Sequence, residues 1–209
     1  EGGFLGGGRF NAMVRPAIPY GIRGVIWYQG ESNVDNGLVY RDKMTTLITG
    51  WRQAWKQGEF PFYFVQLTAA HYSGDAEQVA FTWEAQRTTL AVANTGMAVT
   101  HDISTYPDCH ATDKQGVGRR LALWALANTY GRQQLVYSGP LYRSMTIEGD
   151  KVRIKFDHIG GGLAAPASYN AVVMAPDVTL AAGAAAVDRG YVFPNITDGF
   201  LGSAPDMGA

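Results

Sequence analysis

The stretch GVIWYQGESN, residues 24–33, indicates how this chain folds. It begins as a short apolar, β-branched and aromatic run and turns polar at Gln29 and Gly30, which is the pattern of a buried strand that runs into a loop. In open parallel sheets, loops at the carboxyl ends of strands form the ligand crevice. The stretch therefore predicts a strand over residues 24–28 and a functional loop directly after it.

Helices and strands alternate along the next hundred residues. Apolar residues recur at three- and four-residue spacings where a helix is predicted, and short β-branched or aromatic runs mark the strands. The predicted elements are a helix over 39–56, a strand over 62–67, a helix over 77–93, a strand over 97–100, a helix that starts at a Thr112 and Gln115 capping box and ends at Gly131, and a half-exposed strand over 152–156. This order predicts an α/β fold with a parallel sheet covered on both faces.

Three groups of polar residues follow the predicted strand ends. They are residues 29–33 after the first strand, His71 after the second, and residues 102–110, which include Asp102, Asp108 and His110, after the third. The sheet would bring an amide, carboxylates and imidazoles to one rim. A base, a group that orients it and donors for an oxyanion are what acyl transfer needs.

Composition excludes several other classes of function. The 17 basic and 18 acidic residues are scattered, so no basic stripe attracts nucleic acid or an anionic membrane surface. Cys109 is the only cysteine, which excludes an internal disulfide, and no pair of histidine and carboxylate has the spacing of a metal site. The chain has no apolar run long enough to span a bilayer and no initiator Met, which predicts that residue 1 lies inside a longer protein.

Several blocks resemble the sialate O-acetylesterase family of the SGNH hydrolase superfamily. The stretch 24–33 is similar to a conserved family block, and Asp108, Cys109 and His110, followed by residues 114–122, resemble its catalytic histidine block. Weaker likenesses are Phe10 to Met13 and Pro16 before the first block, Trp51 and Arg52 after it, residues 61–67, and residues 160–163. The resemblance covers residues 9–165.

The resemblance implies a three-layer, flavodoxin-like α/β/α fold that hydrolyses acetyl esters on sugars without a metal or organic cofactor. It implies that His110 is the general base and that Asp108 orients it. Gln29 becomes the candidate oxyanion donor, and Gly30, Glu31 and Asn33 belong to the same oxyanion and substrate segment.

Two departures from the family pattern stand out. Nothing before Gly24 resembles the blocks that carry the family's nucleophilic serine and oxyanion glycine, so the chain is expected to be an N-terminally truncated part of the domain. His110 is followed by Ala111, where the family usually has proline. Ser32 lacks the Gly-x-Ser-x-Gly elbow and is expected to be a hydrogen-bonding loop residue.

Alternatives remain for two of these roles. Asp102 and Glu31 are rivals of Asp108 as the carboxylate that orients His110, and His71 is a second imidazole at the rim. A catalytically inert carbohydrate-binding or structural remnant of an esterase is the rival function, because a triad without its nucleophile loses the covalent step.

The ends of the chain differ from its middle. Residues 1–8 are mostly glycine and are expected to be a frayed end, residues 9–165 form the partial esterase domain, and residues 166–209 are rich in alanine and glycine. Residues 181–209 resemble closing segments of secreted bacterial polysaccharide-degrading proteins. The single cysteine does not settle the compartment, because many secreted bacterial enzymes also lack disulfides, and a periplasmic or secreted location stays open.

Overall fold

The computed structural model describes residues 7–72, 76–149 and 151–159, so the predicted boundary near residue 165 and the segment after it lie outside the described ranges. The elements in chain order are β1 (Val25–Trp27), α1 (Tyr40–Trp55), β2 (Phe62–Val65), α2 (Ala76–Thr88), β3 (Thr95–Ala98), α3 (Lys114–Asn128), β4 (Leu141–Glu148) and β5 (Lys151–Asp157). No helix in these ranges is long and apolar enough to cross a bilayer.

The first three strands form one parallel sheet in the order β1, β2, β3. Val25 lies opposite Phe62, and Phe62 lies opposite Thr95, so the three strands start and end at nearly the same level. Their carboxyl ends therefore share one edge. The predicted alternation of strands and helices and the predicted parallel sheet are confirmed.

Strand β2 is buried on both faces. Phe62 and Phe64 belong to a core with apolar residues of α1, such as Ile48, and with Ala85 of α2. Tyr63 and Val65 project to the other face, where they pack with apolar residues of α3. The three layers are therefore α1 and α2, the sheet, and α3.

Arg52 connects α1 to the residues that precede two of the strands. Its guanidinium is buried and donates to the carbonyl oxygens of Phe60 at 2.9 Å and Ala93 at 2.8 Å. Hydrogen bonds from a charged donor are stronger than neutral ones. This residue therefore links α1 to the segments that lead into β2 and β3.

A close contact between Trp124 and the strand β3 holds α3 on the sheet. The indole N–H of Trp124 donates to the carbonyl oxygen of Met97 at 2.9 Å. The neighbouring Gly96 leaves space for the ring, because an added Cβ would overlap the indole and lie 2.8 Å from Cδ1 of Tyr63. The helix approaches the sheet this closely only because residue 96 has no side chain.

Strand β1 is less buried than its composition predicts. Val25 and Trp27 pack against the α1 layer, whereas Ile26 projects to the opposite face and is 69% exposed. Within the described residues β1 pairs only with β2, and α3 covers β2 and β3. The prediction of a buried strand was wrong for Ile26, because β1 is the edge of this sheet among the described residues.

The start of α3 also differs from the prediction. Asp113, and not Thr112, is the N-cap, and its carboxylate accepts from the backbone N–H of Gly116 at 2.8 Å. The hydroxyl of Thr112 instead lies 3.0 Å from that of Thr105 in the preceding loop. At the other end, Gly131 has a positive φ of 71° and supports the predicted helix stop.

Strands β4 and β5 form a separate antiparallel hairpin. Strand β4 was not predicted from the sequence, and β5 was predicted to be half-exposed. In β5 only Phe156 is partly buried, while Val152 and Ile154 are 54% and 49% exposed. The alternation fails because, among the described residues, this hairpin is a sheet of two strands with no layer packed across either face of β5.

The Gly96 contact leads to a stability prediction with a matched control. Gly96→Ala is expected to destabilise the fold by about 1–3 kcal/mol, because the new methyl group forces Trp124 away from β3. Gly118 lies on α3, and a Cβ added there has no neighbouring atom within 4 Å. Gly118→Ala should therefore stabilise the helix by up to about 1 kcal/mol. Urea unfolding followed by circular dichroism measures both, and a loss of stability in Gly118→Ala equal to that in Gly96→Ala would contradict this account.

Candidate active site

The loop after β1 contains Gly30, whose surroundings leave little room for a side chain. Gly30 has a φ of 153° and is buried. A Cβ at this position would lie 3.1 Å from both Cδ1 of Leu67 and the hydroxyl oxygen of Tyr40. The backbone can therefore turn sharply out of β1 and into the 3₁₀ helix Glu31–Val39 only with glycine here.

A chain of hydrogen bonds holds the Gln29 side chain. Its Nε2 donates to Oδ1 of Asn33 at 2.7 Å, and Nδ2 of Asn33 donates to Oδ1 of Asn36 at 2.9 Å. The Tyr40 hydroxyl donates to the backbone oxygen of Gln29 at 2.8 Å. Burial, together with the charge of Glu31, raises the pKa of Tyr40 to about 12, so this hydroxyl stays a donor at neutral pH.

Glu31 turns back onto its own loop. Its Oε2 accepts from the backbone N–H of Gly30 at 2.9 Å. That bond uses the backbone N–H of Gly30, a residue predicted to belong to the oxyanion segment. It also gives the Glu31 carboxylate a partner other than His110.

Asp108 and His110 are in direct contact. Oδ1 of Asp108 accepts from the backbone N–H of His110 at 2.8 Å and lies 2.8 Å from Nδ1 of the same residue. These contacts, with the backbone N–H first, hold the pKa of the Asp108 carboxyl below its usual range. The tight turn therefore lets a carboxylate two residues earlier in the chain reach the imidazole.

Neighbouring segments hold the loop that carries this pair. The backbone N–H of His71, after β2, donates to the carbonyl oxygen of Pro107 at 2.9 Å. The backbone N–H of Thr112, before α3, donates to the Thr105 hydroxyl at 3.0 Å. The loop thus connects the end of β2 to the start of α3.

His71 does not join the Asp108 and His110 pair. Its ring lies against Tyr106 with centroids 5.7 Å apart. Two imidazoles are near the loop, but only that of His110 contacts a carboxylate within the described residues.

Asp102 has a different partner. Its two carboxylate oxygens each accept from Arg120 at 2.6 Å, which is a bidentate ion pair between the loop after β3 and α3. The guanidinium lowers the pKa of Asp102, and the carboxylate raises the pKa of Arg120. Of the three candidate carboxylates, Asp108 is therefore the one that touches His110.

Two tyrosines near these loops were not predicted from the sequence. Nζ of Lys114, at the start of α3, lies 5.0 Å from the ring centre of Tyr28, and the Tyr72 hydroxyl donates to the carbonyl oxygen of Thr68 at 2.8 Å. Burial raises the pKa of both tyrosines, and the charge of Glu31 raises both further. The sequence signal for Tyr28 was its place directly after β1.

A third imidazole, also missed, is half-buried beside the loop after β3. Nε2 of His101 lies 3.1 Å from the carbonyl oxygen of Leu67, and its ring is tilted against Trp83 with centroids 4.4 Å apart. Burial lowers the pKa of His101. Its contacts with a backbone carbonyl and an indole fit a role in packing.

The histidine loop also contains a possible set of metal ligands. One donor atom each of Asp108, Cys109 and His110 lies within 4.8 Å of the others. A metal site was not predicted from the sequence, because no pair of histidine and carboxylate residues has metal-ligand spacing. Here the three donors are consecutive.

This rim lies at the carboxyl edge of a parallel sheet, which is the place of the active site in a hydrolase of the α/β class. Comparison with known proteins narrows the class of hydrolase further. Residues 7–127 match the family model described as "Carbohydrate esterase, sialic acid-specific acetylesterase". The chain belongs to that family of carboxylic ester hydrolases.

Individual relatives agree with the family model. The chain is 35% identical over 157 residues to the sialate O-acetylesterase of Rattus norvegicus, and 34% identical over 151 residues to that of Homo sapiens. These matches cover 66% and 63% of this chain but 29% of each relative's length.

A solved structure shows the same fold. A carbohydrate acetylesterase from Xanthomonas citri is 38% identical, superposes with a TM-score of 0.68, and matches 72% of this chain and 36% of its own. The α/β class that the resemblance implied is therefore confirmed. The roles of individual site residues stay predictions.

The ion pair of Asp102 leads to a prediction of acid sensitivity. The pKa of Asp102 is lowered in the folded state from an ordinary value of 3.8, so the unfolded chain binds the proton more readily. The stabilisation by this pair is complete above that ordinary value and is lost as the pH falls through the folded pKa. Asp102→Asn should therefore lose less stability than the wild type between about pH 5 and pH 3.

Urea midpoints at a series of pH values measure this difference. Asp157→Asn is the matched control, because it breaks a longer pair with Arg143, at 3.3 Å, in which both side chains are more than half exposed. That control should keep the wild-type acid dependence. Identical acid profiles for Asp102→Asn and the wild type would refute the assignment.

Proposed function

We propose that this chain is part of a carbohydrate esterase that removes O-acetyl groups from sugars. The observation that carries the proposal is the 2.8 Å contact between Asp108 and Nδ1 of His110, on a loop of an esterase-family domain. Acetylated carbohydrate is the proposed partner, as the names of the relatives suggest.

The proposed mechanism uses His110 as a base. Asp108 accepts from Nδ1, which leaves the lone pair on Nε2 free to take a proton. A serine hydroxyl loses its proton to Nε2 as its oxygen bonds to the acetyl carbonyl carbon. The bond from that carbon to the sugar oxygen then breaks, the sugar leaves with the proton, and water activated by the same imidazole hydrolyses the acetyl-enzyme.

The nucleophilic serine is proposed to lie outside residues 1–209. Ser32 is exposed, and no serine hydroxyl in the described ranges hydrogen-bonds to His110. The hydroxyl of Ser104 donates to the backbone oxygen of His101, and that of Ser138 to Gly139. The described residues would then supply the general base and the carboxylate that orients it, but not the nucleophile.

Gln29 is proposed to donate to the oxyanion. Its amide nitrogen carries two hydrogens, and one of them is given to Asn33. The second hydrogen remains for the negatively charged oxygen. Asn33 keeps the amide in place, because amide donors fixed before the reaction need no reorganisation during it.

A pair of histidine variants tests the base assignment. In the protein that carries the serine segment, His110→Ala should remove nearly all hydrolysis of an acetylated sugar, because only the neutral imidazole can accept the serine proton. His71→Ala should keep wild-type turnover, since its ring lies on Tyr106. Asp108→Asn should be milder than His110→Ala, because the imidazole remains but loses its orientation.

Two controls accompany these variants. Circular dichroism checks that each is folded, and the 209-residue chain alone should hydrolyse a chromogenic acetyl ester no faster than an inert protein. A folded His110→Ala variant with full activity would exclude His110 as the base. Absence of turnover in the wild type with its serine segment would favour the inert remnant.

The Gln29 assignment has its own test. Gln29→Ala should lower kcat by about 10²–10³ with little change in KM, since an oxyanion donor acts on the transition state. Asn33→Ala should cause a smaller loss in kcat, because it frees the amide without removing it. An effect of Gln29→Ala on KM alone would make Gln29 a substrate-binding residue.

A further inference from the structure

The Asp108, Cys109 and His110 loop combines three kinds of metal ligand. It offers a carboxylate, a thiol and an imidazole, and their donor atoms lie within 4.8 Å of one another. Sγ of Cys109 is 3.5 Å from Nδ1 of His110, and Oδ1 of Asp108 is 2.8 Å from the same nitrogen. A carboxylate oxygen and a thiol sulfur therefore lie within 3.5 Å of one ring nitrogen.

The distance between Sγ of Cys109 and Nδ1 is close to that in a tetrahedral site, but Sγ is also 4.0 Å from Nε2 and so lies over the ring, and the thiol must rotate toward the Nδ1 lone pair to share an ion with it. Zinc bonds of about 2.3 Å to sulfur and about 2.0–2.1 Å to nitrogen, at a tetrahedral angle, separate the two ligand atoms by about 3.6 Å. The Asp108 oxygen is closer to Nδ1 than two ligands of one ion would be, because a hydrogen bond now joins them. Replacing that proton with a cation requires the exposed Asp108 carboxylate, which also accepts from the backbone N–H of His110, to move outward.

The donor set selects the kind of cation. A thiolate and an imidazole favour Zn²⁺ over Mg²⁺ and Ca²⁺, which prefer oxygen ligands. The side chains of His110 and Asp108 are 78% and 58% exposed, so water can complete the coordination and the ion can exchange. These features fit a reversible site, unlike the four protein ligands of a structural zinc site.

We propose that this loop is an inhibitory Zn²⁺ site, formed by Asp108, Cys109 and Nδ1 of His110. Its functional consequence rests on the proposed role of His110. When a cation takes Nδ1 of a neutral imidazole, the ring proton must be on Nε2. A protonated Nε2 has no lone pair for the serine proton, so the same histidine cannot hold the ion and act as the base.

Direct binding tests the site without any turnover. The 209-residue chain is titrated with Co²⁺, as a spectroscopic substitute, and with Zn²⁺ against a chromogenic chelator. One equivalent of Co²⁺ should give a thiolate-to-metal absorption band, which Cys109→Ser should abolish. Cys109→Ser should also weaken Zn²⁺ binding by about ten-fold or more, since even outer partners of metal ligands contribute that much.

A matched histidine variant makes the test specific. His110→Ala should weaken Zn²⁺ binding as Cys109→Ser does, while His71→Ala, which removes an exposed imidazole from the neighbouring segment, should bind as the wild type. Wild-type affinity in Cys109→Ser, or a Co²⁺ spectrum without the thiolate band, would overturn the proposal.

An activity measurement separates this inference from the proposed function. In the protein with its serine segment, Zn²⁺ should inhibit the wild type and a chelator should restore turnover, whereas Cys109→Ser should be active and resistant. Binding without inhibition would leave the metal site in place and overturn its inhibitory role. An active His110→Ala variant would refute the base assignment and would not alter the binding results.

Discussion

The fold depends on the burial of β2 on both faces. Its four side chains have almost no exposed surface, so apolar layers must cover the strand from above and below. The backbone of β2 must also pair on both edges, because a buried strand cannot leave its N–H and C=O groups without partners. Strands β1 and β3 supply that pairing in parallel, and parallel pairing brings three loops to one edge.

At that edge, short-range hydrogen bonds position the groups that would carry the chemistry. The Asp108 carboxylate accepts from the backbone and from the ring of the same histidine, so one oxygen fixes both the turn and the imidazole. On the opposite loop, Asn33 fixes the Gln29 amide. Both pairs are formed by residues no more than four positions apart, so local chain geometry sets them, while the sheet sets the distance between the loops.

This division explains what could be predicted from the sequence. Periodicity predicted the helices and parallel strands, because that signal is local. The family resemblance named Asp108 as the partner of His110, and the two side chains are in contact, while the catalytic role of the pair stays a prediction. The exposure of Ile26 and the pairing of Asp102 with Arg120 were not predictable, since they depend on which elements become neighbours. The hairpin partner β4 was missed for the same reason, and Tyr28 was missed because an aromatic residue in an apolar run is typical of the core.

The position of β1 at the edge of the described sheet also affects how the 209-residue chain behaves in solution. Ile26 leaves an apolar side chain in water, and burying such a side chain is worth about 1.5–3 kcal/mol. Beside it, the edge of β1 that faces away from β2 has no strand partner among the described residues and offers hydrogen bonds to any extended segment that approaches. Two copies that meet at this edge satisfy both needs at once. Preparations of the chain should therefore become turbid or form oligomers as they are concentrated, more readily than the near-neutral charge alone would cause.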